Sequence, residues 1–405
     1  MYQAVNPSLV LILSVAVILI LLRLKLHPGF AIAGGSLLLM LLVLPLNSVP
    51  SLMWQTLRNK QTLTLLVVVT SAMTLSCLME GRGLLARLAT TIESIGPRWA
   101  MHLVPAVIGF VAMPAGALVS GTALGGLVKR LGLAPEQSTF INYWFRHIWE
   151  FSLPLYPSVV ITSAILSVPL FSVVKTLAPM TALAIVCGGI ASYLILRKVS
   201  TTKVKGESAR KITLNLLSAA WPILLLIVLI LAKLDAMIVF PLVLGLLIGQ
   251  QRARWQELKK SFKYGLNPRV LLLLYAVMLY KTAIETSGAA TMLVGDMQAI
   301  GLPPVSILVG IPFLIGLATG YGPAFTGLAL PLVVPYIVTG TGIHGNALIL
   351  AFVSGMTGEL LSPMHLCLAL TVEYFKASLV KVYKYTLPLC AAMQTVVILL
   401  YIFVK

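Results

Sequence analysis

The sequence predicts an all-α membrane protein built from two inverted repeats, each with three spans, a re-entrant hairpin, a broken span and a final span. Three observations carry that prediction. With 59% hydrophobic and 10% charged residues and a mean hydropathy of +1.01, a chain of 405 residues does not have the composition of a soluble domain. Apolar runs long enough to cross roughly 30 Å of hydrocarbon recur along it. Finally, Pro114, Glu150 and Pro154 return 209 positions later as Pro323, Glu359 and Pro363, which reads as an internal duplication of residues that hydrocarbon disfavours.

The elements follow in order. Apolar runs at 9–26, 29–46 and 62–79 give three spans, and runs at 214–231, 237–248 and 270–284 give their counterparts. Segments 100–130 and 304–340 are apolar but broken near the middle, at Met113-Pro114-Ala115-Gly116 and Thr319-Gly320-Tyr321-Gly322-Pro323. Each reads as a hairpin that enters the membrane and turns back. Segments 137–168 and 345–375 read as spans interrupted by Pro154 with Pro157 and by Ser362-Pro363, and runs at 179–196 and 387–404 close the repeats. Residues 1–198 therefore form repeat 1 (scaffold spans within 8–80, hairpin 100–130, broken span 137–168, final span 178–197). A cytoplasmic linker occupies 199–212, and 213–405 form repeat 2 (213–287, 304–340, 345–375, 385–404). A shift of 205 aligns Glu80 with Glu285, Gly83 with Gly288 and Ile95-Gly96 with Ile300-Gly301, so the duplication reaches the scaffold spans as well. An odd number of crossings per repeat inverts the second repeat relative to the first.

Charge distribution gives an independent orientation. With the N-terminus and C-terminus outside, 22 of the 29 basic residues fall on the inner side, while Arg58, Lys60, Lys175, Lys233 and Lys405 fall outside and Arg146 and Lys281 lie within spans. That bias is the positive-inside pattern of a multi-pass inner (plasma) membrane protein with basic cytoplasmic loops. The net charge of +18 sits in short loops without a nucleic-acid-binding motif, so no nucleic-acid partner is expected. Arg23 and Lys25 follow the first apolar run, the reverse of a cleaved signal peptide. Segment 250–267 reads as a basic interfacial helix. Cys77, Cys187, Cys367 and Cys390 lack metal-ligand spacing and read as packing residues, and neither a metal nor a cofactor is expected.

Interrupted helices expose backbone amides at the start of one half and carbonyls at the end of the other, so the expected site is largely backbone. Second hairpin arms starting near Ala115 and Ala324, with second half-helices capped by Ser362-Pro363 and by Ser152-Leu153-Pro154, would bring four positive helix ends together. Such a place suits an anion. Candidate binding residues are Pro114, Ala115, Gly116, Ser120 and Thr122 in the first hairpin, and Thr319, Gly320, Gly322, Pro323 and Thr326 in the second. Asn142, Arg146, Ser354, Gly355, Ser362 and Pro363 in the broken spans complete the set. Arg146 stays charged when buried and suits an oxyanion, or pairs with Glu150 one turn away. Its counterpart is Gly355, which makes the site asymmetric. Candidates for the coupling ion or proton are Glu150, Glu359, His147 and His365, each of which could instead be structural. Lys281 and Glu285 are spaced to pair within the scaffold.

The strings Asn142-Tyr143-Trp144-Phe145-Arg146-His147-Ile148-Trp149-Glu150 with Pro154 and Pro157, and Ser362-Pro363-Met364-His365-Leu366-Cys367 with Glu373, resemble those of a prokaryotic family of integral membrane proteins. That family is a domain of unknown function grouped with the ion-transporter superfamily, beside sodium/dicarboxylate symporters and the gluconate, lactate and arsenite carriers. The resemblance implies a homodimer and elevator-type movement. The Ser-Asn-Thr tips of the sodium-coupled dicarboxylate members are replaced by 113–117 and 321–326, which speaks against sodium, although Ser120, Thr122, Thr319 and Thr326 keep hydroxyls nearby.

The expected function is secondary active transport of a small anion, an organic acid, coupled to H⁺ or Na⁺. A cation/proton antiporter of the same fold, a membrane-embedded enzyme and a passive channel are the alternatives. Only Asp235 and Asp296 are aspartates, and neither a serine elbow nor a zinc-ligand pattern accompanies them, so the chain is read as a non-enzyme.

Overall fold

A computed structural model describes residues 6–110, 116–197, 208–340 and 342–404. The tip residues Pro114 and Ala115 and most of the expected linker lie outside the described residues. Ten helices precede the linker: α1 (Pro7–Arg23), α2 (Pro28–Val43), α3 (Val49–Arg58), α4 (Lys60–Gly81), α5 (Leu84–Glu93), α6 (Pro97–Ile108), α7 (Gly116–Leu131), α8 (Pro135–His147), α9 (Pro157–Leu166) and α10 (Leu170–Leu196). Ten follow it: α11 (Ala209–Leu231), α12 (Ala236–Gln251), α13 (Trp255–Gly265), α14 (Pro268–Ser287), α15 (Ala289–Ala299), α16 (Pro304–Thr319), α17 (Gly322–Ile337), α18 (Gly345–Leu361), α19 (Leu366–Phe375) and α20 (Leu379–Phe403). Among the described residues the only strands are a two-residue pair, Val338–Thr339 with Gly342–Ile343, between α17 and α18. The protein is all-helical, and among the described residues six helical segments are long and apolar enough to cross a membrane.

Contacts swap between the two series. Helix α2 packs on α14 and α12 on α4, α1 on α15 and α11 on α5, and α7 on α19 and α17 on α9. Each series therefore completes the other. Matching residues start matching helices: Asn59 accepts the amide of Gln61 at the start of α4, and Asn267 accepts that of Arg269 at the start of α14. Gly83 and Gly288, both with left-handed backbone, stand before the short helices α5 and α15.

Several boundaries differ from the expectation, and for one reason. Spans read from apolar runs stop where polarity rises, whereas hydrogen-bonded helix continues into the interface. Helix α10 begins at Leu170, with Pro179 inside it, and α20 begins at Leu379, with Pro388 inside it, eight and six residues before the expected starts at 178 and 385. Residues 209–212, expected as linker, belong to α11. The basic segment forms α13 over Trp255–Gly265, and Gly265 lets it lie against Thr74 of α4. Short helices α3, α5 and α15 were not expected at all.

The interior belongs to the second broken segment. Of the best 18-residue window in Gly345–Phe375, 83% is buried, against 33%, 28% and 22% in α10, α11 and α20. Those three helices form the rim, and α18 is central. Its packing on α16 depends on the absence of side chains: a Cβ at Gly316 would collide with the Gly355 carbonyl, and one at Gly358 with the Phe313 carbonyl.

Candidate functional site

Both broken segments lose their helix where the sequence places proline. In the first, α8 ends at His147, tightens into a 3-10 turn over Ile148–Phe151 and restarts at Pro157 with Tyr156 as N-cap. In the second, α18 ends at Leu361 and α19 starts at Leu366 with His365 as N-cap. The expected caps are therefore displaced. Ser362 closes α18 instead of opening α19: its hydroxyl donates to the Leu317 carbonyl at 2.7 Å and accepts the Met364 amide at 3.2 Å. Ser152 closes the 3-10 turn and bonds Thr181 at 2.7 Å. In both segments the N-cap lies two residues after the proline, at Tyr156 and at His365.

The two breaks meet at one cluster. His147 Nδ1 donates to the Tyr143 carbonyl at 2.6 Å, His365 Nδ1 donates to the Gly320 carbonyl at 2.8 Å, and the two Nε2 atoms are 3.0 Å apart. Glu359 Oε1 accepts the amide of Gly322 at 2.8 Å, which puts a carboxylate on the N-terminus of α17, and lies 3.4 Å from His365 Nδ1. Glu150 Oε1 is 3.8 Å from His147 Nε2. Arg146 Nη1 reaches Cys367 Sγ at 3.4 Å. All of these side chains are buried. Gly116 begins α7 directly against the Arg146 guanidinium, where a Cβ would collide with it. Gly320 takes a φ of +58° at the end of α16, with His365 and Ser362 too close for any side chain.

A cavity of about 190 Å³ adjoins the cluster. Its polar wall includes Arg146, Glu150, Tyr156, Glu359 and His365, and its apolar wall comes from Met73 of α4 and from Leu273 and Leu274 of α14. The starts of α9, α17 and α19 also line it, through Pro157, Gly322 and Leu366. At about 30 Å³ per liquid water, it has room for a small solute. Glu359 Oε2 is buried without a hydrogen-bond partner among the described residues.

The remaining candidates are placed as follows. Pro323 lines the cavity and Pro363 is exposed at the second break. Asn142 donates to the Ala117 carbonyl at 3.2 Å, tying α8 to α7. Ser120 and Thr326 are buried but bond carbonyls of their own helices, Ala117 and Gly322. Thr319 has a buried hydroxyl without a partner among the described residues. Thr122 is exposed on α7, bonds Val119 and stands apart from the cluster. Ser354 turns to Gln394 of α20, and Gly355 makes room for the Phe325 ring. Lys281 is 3.6 Å from Glu285 and also donates to the Ala164 carbonyl and Ser167, joining α14 to the end of α9.

Sequence reasoning took Cys367 for packing, but it is the partner of Arg146. The available signal was its place two residues after His365, at the start of a half-helix. Cys187 and Cys390 remain among apolar neighbours, whereas Cys77 borders a pocket lined by Glu80, Arg82, Glu257 and Lys260. Tyr143, Tyr156 and Ser158 also escaped notice, because aromatic and hydroxyl residues are common in any span.

The family described as "Protein of unknown function (DUF401)" matches residues 5–404. The chain belongs to this family. No curated protein matches the chain. Among solved structures it is similar to the Alcanivorax borkumensis YdaH transporter, whose crystal structure is described as revealing an unusual topology, with 14% identity and a TM-score of 0.58 over 90% of each chain. At that identity the likeness is one of fold. Together with its apolar helices it makes this DUF401 chain a multi-pass membrane protein.

Proposed function

We propose that this DUF401 protein is a secondary active transporter of a small anion, coupled to a gradient of H⁺ or Na⁺. The observation that carries the proposal is Arg146: a guanidinium buried between two interrupted helices, against the start of α7 and on the wall of a small cavity. Arginine is always charged and costly to bury, so a site that keeps one where three further helix N-termini converge is built for negative charge. One of those ends, that of α17, already holds Glu359, whereas those of α9 and α19 have no side-chain cap among the described residues. The cavity lies between the broken segments and the helices α4 and α14, so movement of one group against the other would open it to either side of the membrane. The inverted duplication supplies two such arrangements of opposite direction. Membrane location and the fold shared with a named transporter support the same reading.

The test is a thermal-shift screen of the purified full-length protein against acetate, lactate, succinate, gluconate and phosphate, each with and without Na⁺. At least one anion should stabilise the wild type, and Arg146→Gln should remove that stabilisation while the protein remains folded and monodisperse. Equal stabilisation of both proteins would take Arg146 out of the site.

A further inference from the structure

The hydrogen positions at the junction follow from its partners. Carbonyl oxygens only accept, so the short contacts to Tyr143 and Gly320 place a hydrogen on Nδ1 of both His147 and His365. Each Nε2 would then be a bare acceptor if both rings were neutral. Yet the two Nε2 atoms face each other at 3.0 Å, hydrogen-bond distance, in a buried site. Two lone pairs opposed at that distance repel, and the single thiol hydrogen of Cys367, which lies beside both rings, could satisfy only one of them. One additional hydrogen between them turns the repulsion into a charge-assisted hydrogen bond.

We infer that His147 and His365 hold one proton between them, and that this proton, on the transport reading on which the inference rests, is the coupling ion. It joins the two breaks directly, because His147 ends α8 and His365 caps α19. Its surroundings are specific. Arg146 and Tyr143 face it from α8, and Glu150 from the 3-10 turn. Glu359 faces it from α18 and Cys367 from α19. Tyr156 and Tyr321 stand on the cavity wall before α9 and α17. With Glu150 and Glu359 ionised and the Cys367 thiol intact, the two carboxylates balance Arg146 and the shared proton and the occupied cluster is neutral. Without the proton it is net negative and its two rings repel. An anion therefore binds well only when the proton is present, and by linkage the anion tightens the hold on the proton. The pair moves proton and anion together.

The sequence contains five histidines, which makes direct observation practical. Full-length protein labelled with nitrogen-15 at histidine, in lipid nanodiscs near neutral pH, should give one far-downfield proton correlated with two Nε2 nitrogens. His147→Gln and His365→Gln should each abolish it. Two rings carrying hydrogen only at Nδ1, or a signal that survives either substitution, would overturn the proposal. The wild-type spectrum decides by itself should a variant fail to fold. Binding of radioactive sodium to the same preparation should not saturate, and saturable binding unaffected by His147→Gln would overturn the coupling role. The two readings fail separately: an absent shared proton with anion stabilisation intact removes only the proton seat. A shared proton in a wild type that no anion stabilises removes the transport reading and the coupling role with it.

Discussion

In the first broken segment the residue one turn before the glutamate is Arg146, and in the second the matching residue, 209 positions on, is Gly355. The same shift pairs Tyr156 with His365 and Ser158 with Cys367. Geometry is kept across these pairs while chemistry is changed. Tyr156, the N-cap of α9, donates its hydroxyl to the carbonyl of Gly109 at the end of α6, and His365, the N-cap of α19, donates Nδ1 to the carbonyl of Gly320 at the end of α16. Ser158 approaches Gly322 at the start of α17, and Cys367 approaches the Arg146 that lies on Gly116 at the start of α7. Residues paired by the 209-residue shift thus hold matching places at the two breaks, while the permanent cation lies at one and the capping carboxylate at the other. A site with one buried positive charge and one proton-sharing pair is better suited to an anion than two identical copies would be.

The comparison is broken most severely at the two glutamates, which are equivalent in sequence but not in bonding. Glu359 caps α17 and sits beside His365, whereas among the described residues Glu150 makes one long contact, to His147. Glu359→Ala should cost about 3–5 kcal/mol, the range for removing one partner of a buried charge pair. Glu150→Ala should cost clearly less. Glu359→Gln keeps an acceptor for the Gly322 amide and should fall between wild type and Glu359→Ala. Thermal unfolding of the four proteins in one detergent at fixed pH gives the order, and equal losses for the two alanine variants would mean that the frames are equivalent after all.

Packing distinguishes the frames at a smaller scale. Gly355 admits the edge of Phe325, so Gly355→Ala forces the ring away and should cost about 1–3 kcal/mol, as overpacked cores do. The same measurement on Gly126→Ala, where nothing lies near the new methyl, is the control and should change little. A harmless Gly355→Ala would show that α17 and α18 are packed more loosely than the Phe325 contact implies.

The large features were legible because membranes impose them. Proline and glutamate are so costly in hydrocarbon that their recurrence at Glu150 and Pro154 and again at Glu359 and Pro363 pointed to the two broken segments without any structure, whereas Pro114 lies outside the described residues. Arg146, His147 and His365 stood out for the same reason, and the structure brings them to one place. What stayed illegible depends on pairing across the halves. Nothing in sequence tells that His147 meets His365, which lies 218 positions away, or that Cys367 meets Arg146. Short amphipathic helices such as α3 and α5 escaped because their charges resemble those of loops, and spacing could not fix the caps, since Ser362 closes one helix with the same bonds by which it could open the next.

The finest distinction is between the two N-cap contacts that the 209-residue shift pairs. Tyr156→Phe removes one hydroxyl bond to the Gly109 carbonyl and leaves the ring in place, so it should cost about 0.5–1.5 kcal/mol. His365→Phe removes the matching bond to Gly320 and also deprives His147 Nε2 and Glu359 of their partner, so its cost should exceed that of Tyr156→Phe by more than one hydrogen bond. The double variant separates the frames further. Tyr156 and His365 share no direct contact, and if the breaks are held independently, the two losses in unfolding free energy should add. A double loss well short of the sum would mean that the breaks give way together, as elements of one moving unit would.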